Sequence, residues 1–203
     1  MDPQRIDALL GFLALADRLK TVERRGLVPL PDGTLRRENS AEHCWTIAVV
    51  ALLLHREVAA ETDLARVLSM LAVHDLVEVE AGDTYAYDPA GRATQVEREL
   101  AAADIVFARL PPDLGPRLRA LWEEFEAGET PEARFAMACD RTQGFLQNVL
   151  SGGRAWRDHG VALADTRPRM APAEAVDPAF AALIGALYDR ARQGGMFGEA
   201  PPA

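Results

Sequence analysis

His74 and Asp75 are adjacent, and Glu78 follows within one helical turn. Imidazole nitrogens and carboxylate oxygens are the donors that hold a divalent ion. A further carboxylate beside such an ion can take the proton of a water molecule it activates. Position gives this trio its weight. Leu64, Val67, Leu68 and Leu71 lie at i, i+3, i+4 and i+7, and the same stripe continues to 74, 75 and 78. The face that should be buried therefore turns from apolar to ionisable within one turn. Titratable groups on a core face are costly unless paired or bound to a metal, and one shared ion accounts for all three. Without that stripe, a His–Asp dipeptide would read as a surface pair or a capped helix end.

Two more residues fit the same chemistry. His43 lies three residues after Ser40, a good helix N-cap. A helix N-terminus disfavours imidazolium and favours the neutral ring that ligates metals; the plain alternative is a partly exposed helix-start histidine. Asp140 closes the run Phe135–Ala136–Met137–Ala138–Cys139–Asp140. Its apolar neighbours require a specific partner for the carboxylate, either an arginine such as Arg141 or an ion.

Helical periodicity dominates the chain and strand-like alternation is scarce, so the expected fold class is all-α. A first helix over about 4–20 carries Ile6, Leu9, Leu10, Leu13 and Ala16 on one stripe. A connector over 21–39, with Pro29, Pro31 and an Asp32–Gly33 turn signal, allows a short hairpin. The next helix, about 41–60 with Ser40 as cap, is apolar nearly all round (Trp45, Ile47, Val49, Val50, Leu52, Leu53) and is expected to be central and buried. A helix over 62–80 stops near Gly82, and a loop carries Asp83 to Gly91. Helices over 92–109, 113–128 and 131–150 follow, with a further turn at Trp156–Val161. Thr166–Pro178 reads as a Pro-rich connector, and Phe180–Arg192 as a final amphipathic helix. The 203 residues suit one domain, with a core over about 5–160 and a C-terminal connector and helix over about 161–195.

Net charge is −9, which disfavours a bulk nucleic-acid polymer as partner. Locally the balance reverses: between Asp17 and Arg37 stand Arg18, Lys20, Arg24, Arg25, Arg36 and Arg37 against Asp17, Glu23 and Asp32, enough to meet a small anion. No apolar run is long enough for a membrane span, and the polar N-terminus does not read as a signal peptide. Cys44 and Cys139 sit in apolar stretches and read as small buried hydrophobes of a reducing, cytoplasmic compartment.

The order His43, His74–Asp75, Asp140 on successive helices resembles the HD-domain metal-dependent phosphohydrolases. Three strings bring it closer to the 5′-deoxynucleotidase-like branch: Arg36–Arg37–Glu38–Asn39–Ser40–Ala41–Glu42–His43–Cys44–Trp45, His74–Asp75–Leu76–Val77–Glu78 followed by Gly82–Asp83, and Leu121–Trp122–Glu123–Glu124–Phe125–Glu126. The resemblance covers roughly residues 10–150. It implies a helical bundle with the metal site between central helices, and a hydrolase that removes the 5′-phosphate from (deoxy)nucleoside monophosphates. It also implies one divalent ion (Mn, Co, Mg, Zn or Fe) held by His43, His74, Asp75 and Asp140, with Glu78 and Asp83 as the catalytic carboxylates. Arg24 falls near the family arginine that contacts phosphate, and Arg37 is the further candidate. A homodimer is implied as well.

The histidine count bears on the number of ions. Two-metal members need extra histidines between the His–Asp pair and the last aspartate; none lies between 75 and 140 here. His55, about three turns from His43, reads as structural or exposed, and His159 as no ligand. Other nucleotides, diphosphates or cyclic phosphodiesters among them, remain alternative substrates on the same scaffold, and a non-catalytic nucleotide-binding regulator is the non-enzyme reading. Trp45 and Trp122 read as core or interface aromatics before base-stacking ones.

Overall fold

A computed structural model describes residues 1–59 and 61–198. Apart from one hairpin, the fold is helical: α1 (Pro3–Asp17), β1 (Glu23–Pro29), β2 (Leu35–Asn39), α2 (Ser40–Leu54), α3 (Leu64–Val73), α4 (Glu78–Ala81), α5 (Pro89–Phe107), α6 (Gly115–Ala127), α7 (Pro131–Leu150), α8 (Arg154–Asp158), α9 (Leu163–Glu174) and α10 (Pro178–Gln193). The all-α expectation holds. α7 is the axis of the bundle, packed by α2, α3, α6, α9, α10 and β1. A larger core around it joins Ile47, Met70, Leu71, Phe135, Phe145 and Trp156 to Met170, Phe180, Ile184 and Tyr188. A smaller one gathers Phe12, Leu15, Val77, Val106, Phe107 and Trp122.

Several elements depart from the sequence expectation. The helix over 62–80 is broken: α3 ends at Val73, a 3₁₀ turn spans His74–Val77, and α4 resumes at Glu78. The tighter 3₁₀ winding sets residues i and i+3 on one side, which puts Asp75 and Glu78 on the same wall. Gly82 stops α4 with φ +75. The N-cap of α2 is Asn39, not Ser40: Asn39 accepts from the Glu42 amide while Glu42 reaches back to the Asn39 amide. Ser40 is thereby freed for another partner.

α2 is also less buried than its composition suggests. Trp45 (71% exposed), Leu52 and Leu53 face outward, and the helix ends at Leu54; Ala60 lies outside the described residues. On α1 the inward residues are Phe12 and Leu15, continued by Leu19, while Ile6, Leu10 and Leu13 are exposed. The segment expected as a connector over 166–178 is helix α9, despite Pro168 and Pro172 within it. Each proline costs one backbone hydrogen bond. Burial of Thr166, Met170 and Ala173 against α7 and α10 offsets that loss. The C-terminal helices thus share the larger core with the elements before residue 160.

The hairpin positions an arginine. Gly33 (φ +84) makes its turn, and β1 and β2 pair antiparallel with Glu23 opposite Asn39 and Leu27 opposite Arg37. Four steps on β1 match two on β2, so the register shifts between Glu23 and Leu27. Such an irregularity re-aims a side chain; here it is Arg24, which turns inward.

Candidate metal centre

His43 on α2, His74 and Asp75 on the 3₁₀ turn, and Asp140 on α7 converge on one buried place. Ligand atoms of His43, His74 and Asp75 lie within 4.8 Å of one another. His43 Nε2 is 2.9 Å from Asp140 Oδ1 and 3.8 Å from Asp75 Oδ2, and His74 Nε2 is 3.0 Å from Asp75 Oδ1. His43 is wholly buried, His74 and Asp75 are nearly so, and Asp140 is half-buried.

Each imidazole is held from behind. His43 Nδ1 lies 2.6 Å from Gln143 Oε1 and His74 Nδ1 lies 3.1 Å from the Leu71 carbonyl, both acceptors, so both rings donate through Nδ1. Gln143 in turn donates from Nε2 to Glu38 Oε1 at 2.8 Å. The lone pair of each Nε2 therefore points into the cavity, and neither Nε2 makes a directed hydrogen bond there. Burial pushes the His43 pKa down to about 4, helped by the Arg24 charge, and burial lowers that of His74 too. Two neutral imidazoles with orphaned, inward lone pairs beside two carboxylates fit a divalent ion.

The acids around them need a cation. Burial raises Asp75 to about 8, lifts Glu78 well above its ordinary value and raises Asp83 as well, with Arg24 opposing in every case. Arg24 is the half-buried cation set among them: its Nη1 lies 3.2 Å from Asp75 Oδ2, 3.4 Å from Asp83 Oδ1 and 3.9 Å from Glu78 Oε1, and its Nε lies 3.7 Å from Glu38 Oε2. Asp140 behaves otherwise. Burial opposes its ionisation, and the charge of Arg169, 3.7 Å away, favours it. Glu78 is oriented by Ser40, whose Oγ donates to Oε2 at 2.6 Å.

The structure thus brings together His43, His74, Asp75, Asp140, Glu78, Asp83 and Arg24. It does not bring in Arg37, which spans the hairpin from Glu23 Oε2 (3.6 Å) to the Arg24 carbonyl (3.2 Å). His55 bonds the Thr62 carbonyl (3.0 Å), away from the site. His159 packs against Tyr85. Trp122 and Phe125 are buried inside the chain. Sequence reasoning passed over Ser40 as a partner of Glu78, and over Glu38, Gln143 and Arg169. Gln143 had a signal: it lies three residues after Asp140 and so shares its face of α7.

A family model described as an HD domain matches residues 16–175. The chain belongs to the HD-domain family. Among relatives of this HD-domain chain, the human protein named 5′-deoxynucleotidase HDDC2 is 31% identical over 140 residues, covering 69% of the chain and 66% of that relative. The Bos taurus protein of the same name is 33% identical over 139 residues, covering 68% and 65%. The chain thus matches about two thirds of the length of these relatives. A solved structure from Magnetospirillum magnetotacticum, described as a predicted metal-dependent phosphohydrolase, superposes with a TM-score of 0.87 at 41% identity, covering 97% of this HD-domain chain and 96% of that one.

Proposed function

We propose that this chain is a metal-dependent phosphohydrolase that removes the 5′-phosphate from (deoxy)nucleoside monophosphates. The observation that carries it is the pair of neutral imidazoles whose free Nε2 atoms meet Asp75 and Asp140 beside Glu78 and Arg24. The names of the HDDC2 relatives and of the Magnetospirillum structure support the same reading.

His43, His74, Asp75 and Asp140 would hold one divalent ion. When bound, that ion polarises a phosphoryl oxygen and lowers the pKa of water. Glu78 is the general base. Its Oε2 is engaged by the Ser40 hydroxyl, so Oε1, the oxygen facing Arg24, accepts the water proton. Arg24 presents a planar fork to the phosphate oxygens, and Asp83, 3.4 Å from that fork, fixes its approach and helps place the water. Water oxygen joins phosphorus, the bond from phosphorus to the 5′-oxygen breaks, the departing oxygen takes up a proton from solvent, and Glu78 returns its proton to solvent. The products are a nucleoside and phosphate.

No helix among the described residues is long and apolar enough to cross a membrane. Two free cysteines support a reducing, cytoplasmic setting. The exposed stripes Ile6–Leu10–Leu13 on α1 and Trp45–Leu52–Leu53 on α2 support pairing of two copies.

The test is phosphate release from a panel of nucleoside monophosphates, diphosphates and cyclic nucleotides by chelator-treated protein, with Mn²⁺, Co²⁺, Mg²⁺, Zn²⁺ or Fe²⁺ restored singly. Metal-dependent release from 5′-monophosphates is expected. Activity only on cyclic nucleotides, or none with any metal, contradicts the reading.

A further inference from the structure

Glu38 is the one buried residue of β2; Leu35 and Arg36 before it are exposed, whereas Glu38 is 3% exposed. A carboxylate buried so deeply needs specific partners, and each of its oxygens has one. Oε1 accepts from Gln143 Nε2 at 2.8 Å, and Oε2 pairs with Arg24 Nε at 3.7 Å. Burial raises its pKa, while the Arg24 charge and the Gln143 contact favour the ionised form. Gly26 on the facing strand leaves room for it, since a Cβ there would lie 3.1 Å from Oε2.

The consequence reaches the metal centre through Gln143. A carboxamide can turn either end to a neighbour, the oxygen to accept or the nitrogen to donate. Ionised Glu38 can only accept. It therefore takes the Nε2 end and leaves Oε1 for His43 Nδ1, 2.6 Å away. An acceptor facing Nδ1 requires the ring proton there. That choice of tautomer is contested from the other side of the ring. Asp140 Oδ1 lies 2.9 Å and Asp75 Oδ2 3.8 Å from Nε2, and either would accept a proton placed on that nitrogen. With its proton on Nε2, the neutral ring has no lone pair to offer an ion in the cavity. His74 faces no such choice, because its Nδ1 meets the Leu71 carbonyl, which cannot exchange ends.

We propose that Glu38 is a positioning residue for metal capture: by fixing which end of Gln143 faces His43, it keeps the His43 proton on Nδ1 and the Nε2 lone pair free. The inference rests on the proposed function in taking His43 as a ligand. It deepens that function by assigning the ligand's tautomer to a carboxylate on the hairpin. Arg24 serves twice, since the arginine that faces the acids of the centre also holds Glu38 in its acceptor form.

NMR of ¹⁵N-histidine-labelled, chelator-treated full chain reads the tautomer, and Co²⁺ titration reads metal affinity. Glu38→Gln keeps the shape of the side chain. The oxygen of the new amide turns to Arg24, its NH₂ group meets Gln143, and Gln143 turns over. The His43 proton should move to Nε2 and Co²⁺ affinity should fall about 10–100-fold, with the His74 tautomer unchanged. Gly26→Ala presses on Oε2 without removing a donor or a charge, and should lower Co²⁺ affinity in the same direction. A His43 proton that stays on Nδ1 in Glu38→Gln, or a Co²⁺ affinity unchanged in both variants, overturns the proposal. Gln143→Leu breaks the same link, so adding Glu38→Gln to it should lower affinity no further; additive losses overturn the relay. Glu23→Gln removes an exposed carboxylate of the same hairpin, paired with Arg37, and should alter neither reading. A tautomer shift in that variant would assign the effect to charge alone and overturn the role of Glu38. Wild type that binds no Co²⁺ contradicts the metal centre instead, and the tautomer comparison, made without metal, still tests Glu38.

Discussion

His43 donates its Nδ1 proton to Gln143 Oε1 at 2.6 Å, and this contact aims the opposite nitrogen at Asp75 and Asp140. A ligand held from behind in this way binds its metal more tightly than a free ring. Replacing Gln143 with Leu should lower metal affinity about 10–100-fold while leaving the helical circular dichroism intact. Titration with Co²⁺ reads the affinity, and an unchanged value would show that the ring orients itself.

Glu78 and Ser40 give a paired test. Glu78→Gln should keep the metal and lower turnover by about 10²–10⁴-fold, the usual worth of a general base. Ser40→Ala removes a donor that favours the ionised carboxylate. The pKa of Glu78 should therefore rise, and the acid limb of the kcat/KM profile should move to higher pH. A shift to lower pH, or none, would detach Ser40 from the base.

The metal-free protein should have a pH dependence set by its buried acids. Asp75 is raised to about 8, and Glu78 and Asp83 are raised too. Acids with raised folded pKa values stabilise the fold when protonated, and that stability is lost as pH rises from their unfolded values through the folded ones. His43, lowered to about 4, works in the opposite sense, losing stability as pH falls from about 6.5. Between about pH 6.5 and 8 only the carboxylates act. Over that window the melting temperature of chelated protein should fall by several degrees, at roughly 2–4 °C per kcal/mol for a chain of this size. Adding Mn²⁺ should reverse the fall. A melting temperature that rises over the same window without metal would contradict the assignment.

The legible part of the site was the part that broke a pattern. His74, Asp75 and Glu78 interrupt an apolar stripe, and all three are buried as that interruption requires. Asp140 showed itself the same way on α7. Residues acting through another side chain left no such mark. Glu38 sits in a polar string, and its burial comes from the hairpin folding over α7. Arg24 points inward because of a register shift that only strand pairing creates. α9 was hidden because Pro168 and Pro172 signal a break locally, while Met170 and Ala173 gain burial only from the packed helices around them. On α2, composition alone did not separate the buried Ile47 and Ala51 from the exposed Trp45 and Leu53.

Arg24→Lys retains a charge among the buried acids but loses the planar fork. Substrate KM should rise by about tenfold, one charge-assisted contact, with a smaller change in kcat. A fall in kcat at constant KM would instead make Arg24 a transition-state contact.

The most direct test of the metal centre is the metal content of purified, Co²⁺-saturated protein, measured by elemental analysis for wild type and for Asp75→Ala. One ion per chain in wild type and none retained by a folded Asp75→Ala variant is the predicted result. A variant that keeps its full complement of metal would contradict the centre built from His43, His74, Asp75 and Asp140.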